Sequence, residues 1–366
     1  MKKENKEPLI RISKRGVMPW TQAWSVRIIA VILALIVSAI VIFAIVKMNP
    51  LKVYATMFEG AFGTEKRAWV TIRDTMMLLC IAVGLAPAFR MRFWNIGAEG
   101  QILVGGIVSA ACMIYLKQVP NTPLLLLMAV GSAIAGGIWG LIPALFKARW
   151  NTNETLFTLM MNYVAIQLTS FFVSKWENPF GSNSVGVING IANQGWFPKV
   201  FGQTYGLNVI IVMALAIGMY AYLNYSKQGY EIAVVGESEN TARYAAIDVK
   251  KVIIRTMVIS GALCGIAGFI AVAGASHTIS TSTAGGRGFT AIIVCWLAKF
   301  NSFVMVLISA ILIFLEKGAI EIASQFNLNN HVSNMVAGII LFFILGSEFF
   351  INYKVKFRSR SKEEIK

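Results

Sequence analysis

The chain has 366 residues, 57% of them hydrophobic and only 14% charged, and it carries a net charge of +16. Soluble chains carry ~25% charged residues, so a soluble globular enzyme is excluded. The basic excess brackets apolar runs on alternate sides and forms no long soluble patch, which argues for a membrane rather than a nucleic acid as its partner.

The first 27 residues form a basic polar tail, with Trp20 and Trp24 placed as interfacial anchors before an apolar run at 28–46. That run is too long for a signal-peptide core and no small-residue cleavage site follows, so it reads as an uncleaved anchor. Further apolar runs fall at 75–89, 96–116, 123–146, 155–173, 207–225, 252–275, 289–298, 303–323 and 332–351. Runs of about 20 residues match the hydrocarbon core at a rise of ~1.5 Å per residue. In lipid each backbone N–H and C=O must be satisfied within its own segment, so these runs must be helical. The expectation is an all-α polytopic membrane protein of about ten transmembrane helices, including broken or half helices. The run at 289–298 is too short to cross alone and reads as a half-helix facing protein.

The transmembrane domain therefore covers 28–351, followed by a basic tail at 352–366. Two polar stretches interrupt it. The stretch 174–206 reads as an external loop, and 226–251 as an internal segment of mixed charge with a short helix around 238–246. With both termini placed in the cytoplasm, most of the 33 Lys and Arg fall on the inner side, as the positive-inside rule requires. Cys80, Cys112, Cys264 and Cys295 lie singly in apolar runs, and His277 and His331 are isolated, so neither metal-ligand nor redox spacing exists.

Three stretches carry polar chemistry. In the first, Arg90-Met-Arg-Phe-Trp-Asn-Ile-Gly-Ala-Glu-Gly-Gln101, the groups Trp94, Asn95, Glu99 and Gln101 run straight into an apolar segment. An ionisable residue there faces a water-filled path or a partner, and Gly97 and Gly100 suit a broken helix lining a solute path. Glu99 either meets the solute or pairs with Arg90 or Arg92 to fix the fold. In the second, Asn151, Glu154, Thr158, Asn162 and Thr169 make one helical stripe about 27 Å long, either a pathway wall or interhelical glue. Asn153 is placed to cap that helix. The third, residues 273–289, is rich in hydroxyls and glycine and includes Arg287 and Phe289; it is either a solute-binding stretch or an ordinary external loop. The small-residue pairs Gly136/Gly140 and Gly261/Gly265 read as helix packing. No GxxxxGK[ST], GxSxG, HExxH or paired CxxC is present, so the chain lacks the parts for ATP hydrolysis by a phosphate loop, and for hydrolase or zinc chemistry.

The segments FRMRFWNIGAEGQILVGG (89–106), NETLFTLMMNYVA (153–165), VGESENTARYAAID (235–248) and GGRGFTAIIVCWLAKFNSF (285–303) resemble permease subunits of ABC importers in the ribose, branched-chain amino acid and nucleoside group. In particular they resemble bacterial nucleoside permeases that work with a basic-membrane-protein lipoprotein. The resemblance implies a multi-pass protein of the bacterial inner membrane, not an enzyme, that carries a small polar solute such as a nucleoside. It implies a second, similar permease, an extracellular solute-binding lipoprotein, and a separate cytoplasmic ABC ATPase that holds the ATP and Mg, with no cofactor in this chain. It assigns Gly236, Asn240, Ala242, Arg243 and Ile247 to the segment that docks on the ATPase. That pattern usually ends Ala-Gly-Ile, where this chain has Ala245-Ala246-Ile247. The expected solute path is Trp94, Asn95, Glu99, Gln101, Glu154, Thr158, Asn162, Arg287 and Phe289. The competing expectations are an ABC permease for a simple sugar, or an ion-coupled secondary carrier using Glu99 and Glu154 as its coupling carboxylates.

Overall fold

The computed structural model describes residues 10–16, 18–47, 49–200, 202–327 and 330–357; the outermost parts of both expected tails lie outside them. Its helices account for nearly all regular structure, and eight described helices are long and apolar enough to cross a membrane. The chain divides into two compact units, Met1–Thr64 with Phe314–Lys366, and Glu65–Ile313.

The first unit holds α1 (Trp20–Val46), α2 (Pro50–Phe62), the end of α12 (Ser302–Gln325) and α13 (Asn330–Asn352). Helix α1 begins inside the stretch read from sequence as tail. Its Ile28, Ile29, Ile32, Ile36 and Ile40 are exposed, an arrangement that suits lipid rather than water. Helix α2 is not among the apolar runs of the sequence. It starts because the Asn49 side chain accepts the Leu51 N–H (3.0 Å) and Pro50 is preorganised for a first helical turn. It buries Val53 and Met57 against Ala34, Ile42, Leu315, Ile322, Val336 and Ile340. Strands β1 (Ile10–Lys14) and β2 (Tyr353–Phe357) join the two ends of the chain as an antiparallel ribbon, Ile10 opposite Phe357.

The second unit is built around α3 (Glu65–Arg90), α4 (Ala98–Tyr115), α5 (Asn121–Trp150) and α10 (Val249–Ala271). Helix α3 is buried over almost its whole apolar length, which is why it carries no polar face. Helices α4, α5 and α10 touch through their backbones: a methyl at Gly265 would run into the Ser132 carbonyl, and one at Gly268 into that of Ile102. Small residues permit this approach, and apolar attraction alone would not drive it in lipid. The expected four-residue glycine spacing lies on this seam. Around it stand α6 (Glu154–Lys175), α7 (Gly206–Tyr225), the short α8 (Lys227–Glu237) and α9 (Glu239–Tyr244), and the eleven-residue α11 (Arg287–Leu297). One π-helical turn, Val272–Ser276, extends α10 and ends on His277 in the left-handed region.

Candidate functional site

Between α3 and α4 the chain unwinds over residues 91–97, turning at Arg92 with φ of 59°. Buried side chains hold this joint. The Asn95 amide donates to Gln101 Oε1 (3.3 Å) and Ser260 Oγ (3.2 Å), and its oxygen accepts the Gly97 N–H (3.1 Å). From α6, Thr158 Oγ1 accepts the Ile96 N–H (3.2 Å). Asn162 accepts the Gly100 N–H (2.8 Å) and donates to the Ile96 carbonyl (2.9 Å). The polar stripe of α6 therefore satisfies backbone groups that unwinding leaves without helical partners. Asn153 caps α6 as its position in sequence suggests, accepting the Leu156 N–H (3.1 Å).

Glu99, in the first turn of α4, is buried and accepts the Gly288 N–H at 2.7 Å, at the start of α11. A carboxylate at a helix N-terminus meets the positive end of its dipole. Neither arginine of the joint supplies that contact; Arg90 turns to the Leu223 carbonyl (3.0 Å) and Asn224 (3.4 Å). Arg287, one residue before Gly288, reaches Asp74 Oδ1 at 3.5 Å, and Arg73 reaches the same oxygen at 2.8 Å. Asp74 is only 2% exposed. Sequence reading missed it by starting the span at residue 75; the available signal was a lone carboxylate at the head of an apolar run.

Helix α11 buries Gly288, Ala291, Val294 and Cys295 against the unit and turns Phe289 and Trp296 outward. Trp296 stacks on Trp94 of the joint, with ring centres 5.5 Å apart and planes at 27°. Phe89 meets both edge-on, at 5.8 and 6.2 Å. Trp94, Phe289 and Trp296 are each 43–46% exposed. Of the expected path residues, Trp94 and Phe289 present open surface, whereas Asn95, Gln101, Thr158 and Asn162 are buried. Trp296 had no individual signal in the sequence.

Glu154 lies apart from this group. It pairs with Lys147 at 2.9 Å beside a cavity of about 250 Å³ that Met91, Arg92, Glu237 and Glu239 also line. The cavity joins the α3–α4 joint to the end of α8. There Gly236 packs directly on the Arg90 carbonyl, so close that a methyl would clash. Ser238 ends α8 and caps α9, accepting the Thr241 N–H (3.2 Å). Ala242 is fully buried and Asn240 exposed, while Arg243 stands out beside Glu239 (3.6 Å). The turn closes through Ala246 N–H to the Arg243 carbonyl (3.0 Å) and Ile247 N–H to that of Ala242 (2.9 Å). Ala246 sits at φ of 56°, a left-handed position suited to the glycine of the usual pattern.

The family model of branched-chain amino acid transport system permease components matches residues 70–345. The chain is 30% identical to a guanosine ABC transporter permease of Bacillus subtilis, covering 88% of this chain and 93% of that one. It is 26% identical to a nucleoside ABC transporter permease of Lactococcus lactis subsp. cremoris, over 87% and 90%. It is 23% identical to a glucose ABC transporter permease of the haloarchaeon Haloferax volcanii, over 94% and 93%. No solved structure gives a significant match.

Proposed function

The chain belongs to the family of branched-chain amino acid transport system permease components, and from that premise we propose that its solute is a nucleoside. It is the permease subunit of an ABC importer, a multi-pass membrane protein working with an ATPase. The observation that carries the nucleoside reading is the open aromatic face of Trp94, Phe289 and Trp296 beside a polar joint. Aromatic faces stack heterocycles at about 1–3 kcal/mol per base. The guanosine and nucleoside relatives support the same solute. The haloarchaeal glucose relative supports a sugar instead, and a sugar offers those rings much less stacking area.

In this reading Asn95, Gln101, Thr158 and Asn162 set the shape of the path, and Glu99 and Arg287 hold α11 at its edge. A second, similar permease supplies the opposite wall. Gly236, Asn240, Ala242, Arg243 and Ile247 belong to the docking surface for the ATPase, which binds the ATP and Mg. The α6–α7 loop faces outward toward a solute-binding lipoprotein, both termini lie in the cytoplasm, and the membrane is the bacterial inner membrane. The packing of Gly236 on Arg90 supports a direct link from docking surface to joint. Uptake of labelled guanosine and glucose in cells carrying the importer tests the solute; import of glucose with no guanosine uptake overturns it. Guanosine uptake that persists under an uncoupler while ATP is held constant separates the importer from an ion-coupled carrier.

A further inference from the structure

The connection between α6 and α7 is fastened to the rest of its unit at several points. The Ile188 N–H donates to the His277 carbonyl (2.9 Å), the Phe197 N–H to that of Ala273 (3.1 Å), and Asn189 to that of Met113 (2.8 Å). Trp196 lies flat on His277, with ring centres 3.7 Å apart and planes within 6°, while its indole N–H donates to the Ile188 carbonyl (2.9 Å). Beneath this lid the π-helical turn replaces ordinary helix, and Gly274 lets Phe197 and Asn208 approach the backbone. Single π-turns inside α-helices recur at functional sites. The result is a preformed cavity of about 580 Å³, remote in sequence from the joint. Ligand pockets span roughly 300–1,000 Å³.

The walls of this cavity have a definite chemistry. Trp196, Phe197 and His277 supply aromatic surface, and Asn193, Lys199 and Thr204 supply polar groups. Those three polar side chains make no side-chain hydrogen bond or ion pair among the described residues, so their donors and acceptors are available. Among the described residues no carboxylate lines the cavity and Lys199 is the one Lys or Arg that does, which disfavours a cationic ligand. We infer that this cavity is a second, lipoprotein-independent binding site for an uncharged heteroaromatic solute with a hydrogen-bonding edge. Resting on the nucleoside reading above, the site holds solute on the outer face before it reaches the joint.

The complete importer in nanodiscs, with the solute-binding lipoprotein left out, tests the site. Tritiated inosine is the probe, with hypoxanthine and ribose as competitors. Binding of inosine, displaced by hypoxanthine and not by ribose, is expected. Ala192→Trp and Thr204→Trp, both at exposed positions on the cavity wall, fill it and should each weaken binding at least tenfold. Their melting temperatures should match the wild type, which separates blocking from misfolding. No binding by the wild type, equal displacement by ribose, or wild-type binding in both filled variants overturns the inference. Inosine uptake by cells carrying the wild-type importer is measured beside it. Uptake of inosine with unaltered binding in the variants removes this site alone, whereas absence of both inosine and guanosine uptake removes the nucleoside reading.

Discussion

The α3–α4 joint and the α8–α9 segment are both short, polar and glycine-containing, yet they use their polar groups in opposite ways. In the joint, Asn95, Glu99, Gln101, Thr158 and Asn162 are buried and each meets a backbone or side-chain partner within the unit. In the α8–α9 segment the buried groups are small or apolar, Gly236 and Ala242 among them, and Glu231 is paired with Arg255 (2.9 Å), while Asn240, Arg243 and Tyr244 stand in solvent. A buried polar group must be paired by its own fold, because leaving it unpaired costs about 1–3 kcal/mol. An exposed one carries no such penalty and is free for a partner. Mutations in the first region should therefore damage folding and transport together, and mutations in the second should separate them.

The largest effect is expected at Asp74. Asp74→Ala leaves Arg287 and Arg73 without their shared carboxylate and should cost about 1.5–3 kcal/mol, the range for hydrogen bonds to charged groups. Thermal unfolding in detergent should fall, with uptake lost; a wild-type melting temperature would contradict the pairing. Glu99 sharpens the same point. Glu99→Gln keeps an acceptor for the Gly288 N–H and should retain abundance, whereas Glu99→Ala should lower abundance and uptake alike. Equal behaviour of the two variants would mean that charge, not the hydrogen bond, holds α11.

Arg243→Glu tests the contrasting region. Its side chain is 67% exposed and its contact with Glu239 is long, so abundance and melting should stay near wild type. ATPase co-purification and uptake should both fall. A stable variant that still binds its ATPase and transports normally would remove the docking role. The smallest effect is expected at Ala246. An alanine at φ of 56° costs roughly 1–2 kcal/mol relative to its preferred backbone, so Ala246→Gly should raise stability by up to ~1 kcal/mol, less the extra entropy of glycine in the unfolded chain. Lower stability in the glycine variant would contradict the strained turn.

Much of the fold is legible because membrane spans announce themselves by length and hydropathy. The joint is legible too, since Asn95, Gly97, Glu99 and Gly100 break an apolar pattern within six residues. What the sequence leaves hidden depends on distant partners. Asp74 meets Arg287, and Glu99 meets Gly288, each far along the chain. Trp296 is one aromatic among many until it stacks on Trp94. Glu154 shares a stripe with Thr158 and Asn162, yet Lys147 draws it to the other end of the joint. Helix α2 escapes notice because thirteen residues with one apolar face resemble a loop when only long spans are sought.

The seam of α4, α5 and α10 has a mechanical consequence. With no side chains between their backbones at Gly136, Gly261, Gly265 and Gly268, these helices are keyed into one another like teeth. Sliding any of them by one residue would drive a Cβ into a neighbouring carbonyl, so they can travel only as a single block. Any rearrangement during a transport cycle must then be taken up outside this block, and the unwound 91–97 segment is one place where no regular helix resists it.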